Sequence, residues 1–149
     1  MTRLVELDAS DVHDLRRRVL RAGDGAADVD WAGDHDRTTV HLGVVDEHGS
    51  VLAVSTWLRQ PCPLHPAEPA VQLRGMATDP AWSSGGLGSL LLSEGVRRAS
   101  DVGLVWANAR VEAIPFYERR NWTAVGPEFT TADTGLPHRL VTCRPAATS

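Results

Sequence analysis

The feature that most constrains this chain is the run Asp79-Pro80-Ala81-Trp82-Ser83-Ser84-Gly85-Gly86-Leu87-Gly88-Ser89-Leu90-Leu91. It follows a β-rich segment, Val71 to Thr78, and leads into a helical pattern from about Gly86 to Ser100. In that pattern Leu87, Leu91 and Gly95, with Leu92, Val96 and Ala99 beside them, make a wide apolar face. A glycine-rich turn that enters a helix aims several free backbone N–H groups at one point, and the helix dipole adds positive potential there. Such a turn is suited to a phosphate or pyrophosphate. Gly85, Gly86 and Gly88 have no side chains to keep a ligand off the backbone. A turn of this kind that binds nothing is the competing reading.

The rest of the chain alternates strands and helices, which points to an α/β or α+β fold with a mixed sheet. A length of 149 residues suits one domain spanning 1–149. Arg3 to Leu7 reads as a first strand. Ser10 then reads as the N-cap of a helix over 11–20, with Val12, Leu15 and Val19 on one face. Residues 22–37, rich in Gly and Asp around Trp31, read as a loop or a broken helix. Thr38 to Val45 and Val51 to Leu58 pair as a hairpin across Asp46-Glu47-His48-Gly49-Ser50. Pro61, Pro63, Pro66 and Pro69 forbid regular structure before Val71. Downstream come a strand over 103–108 and a helix over 112–120 with Asn121 as left-handed C-cap. Strands over 122–125 and 139–143 close the sheet.

Composition narrows the function. A formal net charge of -4 argues against nucleic-acid binding through a broad basic field. Apolar runs such as Leu90-Leu91-Leu92 fall far short of the roughly 20 residues that span a bilayer. The N-terminal residues carry no apolar signal stretch, so the expectation is a cytoplasmic protein with no membrane partner. Cys62 and Cys143 have neither CxxC spacing nor a metal-ligand His partner, which predicts two reduced thiols and no metal.

Three motifs compete for the glycine-rich run. A Walker loop needs Lys and then Ser or Thr after its last glycine, and Ser89-Leu90 follows Gly88. A dinucleotide fingerprint begun at Gly86 needs Gly or Ala where Leu91 stands. The third is the acyl-CoA loop, Gln/Arg-x-x-Gly-x-Gly/Ala, which Ser83-Ser84-Gly85-Gly86-Leu87-Gly88 fits from Gly86 onward. Leu73-Arg74-Gly75-Met76-Ala77-Thr78-Asp79-Pro80 resembles the strand that leads into this loop in the Gcn5-related N-acetyltransferase (GNAT) superfamily. Trp106-Ala107-Asn108-Ala109-Arg110 and Ala113-Ile114-Pro115-Phe116-Tyr117-Glu118-Arg119-Arg120-Asn121-Trp122 resemble that family's later Asn-x(n)-Ala-x-x-Phe-Tyr-x-x-x-Gly-Phe block. The resemblance runs from about Thr38 to Arg144.

The resemblance implies a GNAT-type mixed, mostly antiparallel sheet of six to seven strands, flanked by about four helices and splayed at an acyl-CoA cleft. It implies an N-acetyltransferase that takes acetyl-CoA as donor and an amine-bearing small molecule or peptide as acceptor. A homodimer is a further outcome the family allows. Met76, Ala77 and Thr78 would offer backbone groups to the pantetheine arm. Ser83, Ser84, Gly85, Gly86, Leu87, Gly88 and Ser89 would form the pyrophosphate loop. Asn108 and Phe116 would complete the cofactor site. Tyr117 matches the tyrosine that protonates the departing thiolate, or else is an aromatic packing residue. Ser83 and Gly85 depart from the Gln/Arg and basic residues of the pattern, so the loop would rest on backbone donors. The strand before the loop carries Gln72 and Arg74 rather than a carboxylate, which leaves the general base to His138 first, with His41 and Glu128 behind it. Arg74 either binds an acceptor carboxylate or pairs with a core acid. Two other readings stay open: a non-catalytic acyl-CoA-binding or sensing protein of the same fold, and a nucleotide-binding protein of another fold.

Overall fold

The structure, a computed structural model, describes residues 1–132 and 134–145. Its strands are β1 (Thr2–Leu7), β2 (Val40–Asp46), β3 (Val51–Arg59), β4 (Val71–Thr78), β5 (Val105–Arg110), β6 (Thr123–Thr130) and β7 (Pro137–Cys143). They form a seven-stranded sheet in the order β1-β2-β3-β4-β5-β7-β6. The sheet is mixed and mostly antiparallel, with β4 and β5 parallel. Among the described residues three helical segments carry α1 (His13–Leu15), α2 (Leu87–Arg98) and α3 (Ile114–Glu118). The chain divides into two compact units.

The first unit is Met1–Leu58 with Leu73–Arg98. β2 and β3 are buried along nearly their whole lengths, and that burial takes in the polar side chains of His41, Ser55 and Thr56. The β2–β3 turn is locked by Asp46, whose carboxylate accepts the N–H groups of His48 and Ser50, both at 2.9 Å. Val12, Leu15, Val54 and Ala77 form a core cluster, with Val19 packed against it. The cap expected at Ser10 is displaced. Ser10 lies inside a 3-10 turn, Ala9–Val12, and Asp8 holds the extended cap position at φ -82°, ψ 161°. The Asp8 N–H donates to the Asp11 carboxylate at 3.0 Å. The single helix expected over 11–20 is this turn, then α1, then a π-helical turn over Arg16–Leu20.

The second unit is residues 59–72 with residue 99 onward. The start of β4 pairs with β5 through Val71↔Val105 and Gln72↔Trp106. β7 then pairs with β5, and β6 with β7. Cys62, Ala70, Leu104, Trp106 and Leu140 make its core cluster. Both cysteines are free thiols. The proline-rich segment is tied by a Glu68–Arg144 ion pair and by the Trp106 indole N–H, which donates to Gln60 O at 2.8 Å. β6 extends to Thr130 and β7 starts at Pro137, so His138 lies inside a strand. No helix among the described residues is long and apolar enough to cross a membrane.

Candidate active site

In the first unit the glycine-rich run is built by local chemistry. The Asp79 carboxylate accepts the Ala81 N–H at 3.0 Å, and Pro80 starts the short turn Pro80–Trp82. That backbone bond, with the Arg18 guanidinium at 3.3 Å, holds the Asp79 carboxyl below its ordinary range despite some desolvation. Gly85 N–H bonds Trp82 O at 3.0 Å, and Gly86 then takes φ +76°, a backbone that other residues rarely adopt. Leu90 N–H bonds Gly86 O at 3.2 Å and closes the first turn of α2. The amides of Gly86, Leu87 and Gly88 therefore stand ahead of the first helical hydrogen bond, at the positive end of a 12-residue helix. Ser83, Ser84, Gly85 and Gly86 are exposed, and Gly88 and Ser89 are half-buried. A Cβ at Gly86 would meet nothing within 4 Å. Leu87 differs: its side chain is buried, so only its backbone can face a ligand.

β4 carries the next group of expected residues. Ala77 is buried, while Met76 and Thr78 are half-buried. Before them Gly75 takes φ +64° inside β4. A Cβ there would lie 3.0 Å from the Trp31 ring and 3.1 Å from Arg16 Nε, so both conformation and space demand glycine.

Arg74 settles among a buried polar group that the sequence did not reveal. Arg16 and Asp34 side chains are wholly buried, and Arg16 grips the Asp34 carboxylate with both terminal nitrogens at 2.5 and 3.1 Å. Arg74 Nη2 donates to Asp34 Oδ1 at 2.9 Å and to Ala32 O. The Trp31 N–H donates to Asp34 Oδ2 at 2.7 Å, and the Arg16 guanidinium lies 3.8 Å over the Trp31 ring. Burial alone would push the Asp34 carboxyl up, but the donors from Arg16, Trp31 and Arg74 outweigh it and hold the group at about 2. His41 belongs to this network. Asp34 O can only accept, so His41 Nε2 donates to it at 2.9 Å, and Nδ1 takes the Thr56 hydroxyl proton at 2.8 Å. With both nitrogens engaged, His41 is a structural residue and has no lone pair to spare for a base.

The second unit places the remaining residues. α3 packs against β6 and β7. Tyr117 is buried between Phe116, edge-on at 5.3 Å, and Trp122, also at 5.3 Å. Its hydroxyl has no hydrogen-bond partner among the described residues, and burial pushes the phenol up to about 12. Asn121 adopts φ +68°, and the Trp122 N–H reaches back to Tyr117 O at 3.1 Å. That closure is the expected left-handed cap, and it seats Trp122 in the core. Arg120 lies 4.0 Å over the Phe116 ring and donates to Phe116 O, so it binds α3 to itself. Asn108 is exposed at the β5 position opposite Leu140. His138 is buried on β7, stacked on Phe129 at 6.0 Å. Its Nδ1 lies 2.8 Å from Leu136 O. A carbonyl only accepts, so the proton sits on Nδ1 and Nε2 keeps its lone pair. Glu128 is exposed on β6. No group of His, Cys, Asp and Glu among the described residues could hold a metal ion.

Comparison with known proteins agrees with this architecture. The chain is 27% identical over 137 residues to an uncharacterized N-acetyltransferase, YitI, of Bacillus subtilis, covering 91% of each chain. Its fold matches an acyl-CoA N-acyltransferase from Pseudomonas aeruginosa with a TM-score of 0.75 at 20% identity, over 95% of this chain and 99% of that one. It also matches an aminoglycoside 6'-N-acetyltransferase solved with coenzyme A, with a TM-score of 0.73 at 12% identity, over 99% of each. The model of the GNAT acetyltransferase family matches residues 9–122, from the first helical turn to the Trp122 anchor, and the chain belongs to that family.

Proposed function

We propose that this chain is a single catalytic domain that moves an acetyl group from acetyl-CoA to a primary amine, by direct attack in a ternary complex. The observation that carries the reading is the turn over Ser83–Ser89, exposed from Ser83 to Gly86, where glycine amides precede the first hydrogen bond of α2. Backbone donors there would hold the CoA pyrophosphate without the basic side chains that Ser83 and Gly85 replace. Met76, Ala77 and Thr78 would pair with the pantetheine amides and polarise the thioester carbonyl, and in the second unit Asn108 and Phe116 keep the cofactor-binding role that the family resemblance implies.

In the proposed step the amine nitrogen attacks the carbonyl carbon, the C–N bond forms and the C–S bond breaks. A primary amine has a pKa near 10 and must lose its proton first. His138 is the proposed base, because its tautomer leaves Nε2 free to accept. Tyr117 is the proposed donor to the departing sulfur. A phenol at about 12 keeps its proton at neutral pH, whereas a free thiol titrates near 8.5, so the Tyr117 O–H meets the sulfur as a hydrogen-bond donor first. One feature supports a second reading, a binding protein without turnover. β4 has no carboxylate, and the acid beside it, Asp34, is consumed by two arginines.

Calorimetry with acetyl-CoA separates these readings. Micromolar binding to wild type, lost in Gly86→Trp and kept in Tyr117→Phe, supports the assignment. Gly86→Asn controls for folding, since asparagine tolerates the left-handed backbone. Binding followed by acetylation of an amine panel supports the enzyme, and binding without turnover supports the sensor. Folded protein that binds neither acetyl-CoA nor a longer acyl-CoA would remove both.

A further inference from the structure

The buried group around Asp34 is out of balance in charge. Asp34 brings one negative charge and is already saturated by four donors: two from Arg16, one from Arg74 and the Trp31 N–H. Arg16 and Arg74 bring two positive charges. His41 adds no negative charge, and its nitrogens are committed to Thr56 and Asp34 O. Asp36, the next acid along the segment, is exposed and forms no ion pair with either guanidinium among the described residues. The fork between Arg16 and Asp34 would be complete without Arg74.

Arg74 is the member of the group that reaches the surface. Its side chain is 21% exposed, against 0% for Asp34. Nη2 is spent on Ala32 O and Asp34, while Nε is buried without a partner and Nη1 has none among the described residues. Unpaired donors on a partly desolvated guanidinium are costly, and an ionised acceptor is the group that satisfies them best. The half-buried Trp31 ring stands 5.7 Å from the Arg74 guanidinium and gives the spot an apolar wall. Arg74 and Met76 lie either side of Gly75 on β4, so at most about 7 Å of chain separates them.

We infer that Arg74, walled by Trp31, is a carboxylate seat, and that the acceptor is an amino acid or another small amine with a carboxylate two or three bonds from its nitrogen. The acceptor's negative charge offsets the surplus guanidinium and takes the free Nη1 donor. The short reach along β4 sets its amine at the thioester that Met76 and Ala77 are proposed to hold. This inference rests on the acetyltransferase reading only for its catalytic consequence, because the seat itself is a binding property.

The test uses product-like probes that differ in one group. N-acetyl derivatives of glycine, leucine, phenylalanine and glutamate are titrated into the full chain with CoA, each beside its amide. In wild type at least one acid binds about 10- to 100-fold tighter than its amide, the range expected of a hydrogen bond to a charged group. Arg74→Gln brings the ratio to within about threefold, and Arg74→Lys keeps part of it. Acids and amides that bind equally to wild type, or that both fail to bind, overturn the seat, and this comparison needs no variant to fold. A preference unchanged in folded Arg74→Gln also overturns it. Turnover tells the two ideas apart. Acid preference without acetylation of any free amino acid keeps the seat and sinks acetyl transfer. Equal kcat/KM for amino acids and their amides, unaffected by Arg74→Gln, does the reverse.

Discussion

Replacing Asp34 by asparagine is the sharpest test of how the first unit is held together. The substitution keeps the shape and removes the charge. It leaves Arg16, wholly buried, facing an amide, and it turns two new N–H donors toward a ring of existing ones. Two estimates bound the cost. The carboxyl is held down from 3.8 to about 2 by its donors, which by linkage is worth roughly 2–3 kcal/mol. Breaking a buried ion pair by removing one partner costs about 3–5 kcal/mol, because the other charge is stranded. The stranded guanidinium makes the larger figure the better guide, so about 3–4 kcal/mol is expected. With a urea slope of about 2 kcal/mol per M, the midpoint of Asp34→Asn drops by about 1.5–2 M. The sign of the pH dependence follows from the depressed carboxyl. Its contribution is complete above about pH 4 and is lost as pH falls toward 2. Urea midpoints of wild type and Asp34→Asn should therefore differ by a constant amount from pH 8 to 5 and converge below 4. A loss under about 1 kcal/mol at pH 7, or a gap that survives unchanged to pH 3, would refute the reasoning.

The cost is large for the same reason that the network was hidden in the sequence. Arg16 shares a helix face with Val12, Leu15 and Val19, yet a charged residue there reads as the rim of the apolar stripe. Its burial depends on Asp34, 18 residues away, and Thr56, 40 away. Periodicity carries no information at that range. The glycine-rich turn was legible because its determinants are adjacent: Asp79 caps, Pro80 starts, Gly86 turns. Asn121 was legible likewise, as one residue with a known tolerance for the left-handed region. The helix start was misplaced at Ser10 because Asp8, Ser10 and Asp11 can all cap, and the choice falls to the Asp8 N–H bond with Asp11. The histidines divide the same way. The sequence ranks His138 ahead of His41 by position alone, and only their partners, brought by other strands and loops, leave a lone pair on one and none on the other.

Two further outcomes follow from packing and burial. Gly95→Ala should destabilise the protein by about 1–3 kcal/mol or more, even though alanine favours a helix interior by about 1 kcal/mol. The new methyl would fall 1.9 Å from the Trp57 ring, and that indole is pinned by its N–H bond to Ser55 Oγ at 2.9 Å. A thermal midpoint equal to or above wild type would show that the ring moves aside freely. The second outcome concerns the proposed proton donor. Burial raises the Tyr117 phenol to about 12, so it stays protonated through the whole range in which an amine acceptor deprotonates. The kcat of wild type should climb with amine deprotonation and show no alkaline fall up to about pH 10, and Tyr117→Phe should lower it about 100-fold or more without reshaping that limb. An alkaline fall with an apparent pKa near 10 that vanishes in Tyr117→Phe would mean the phenol ionises as readily as a free tyrosine. The aromatic enclosure by Phe116 and Trp122 would then not exclude water from the hydroxyl, and a donor held in reserve for the sulfur would lose its physical basis.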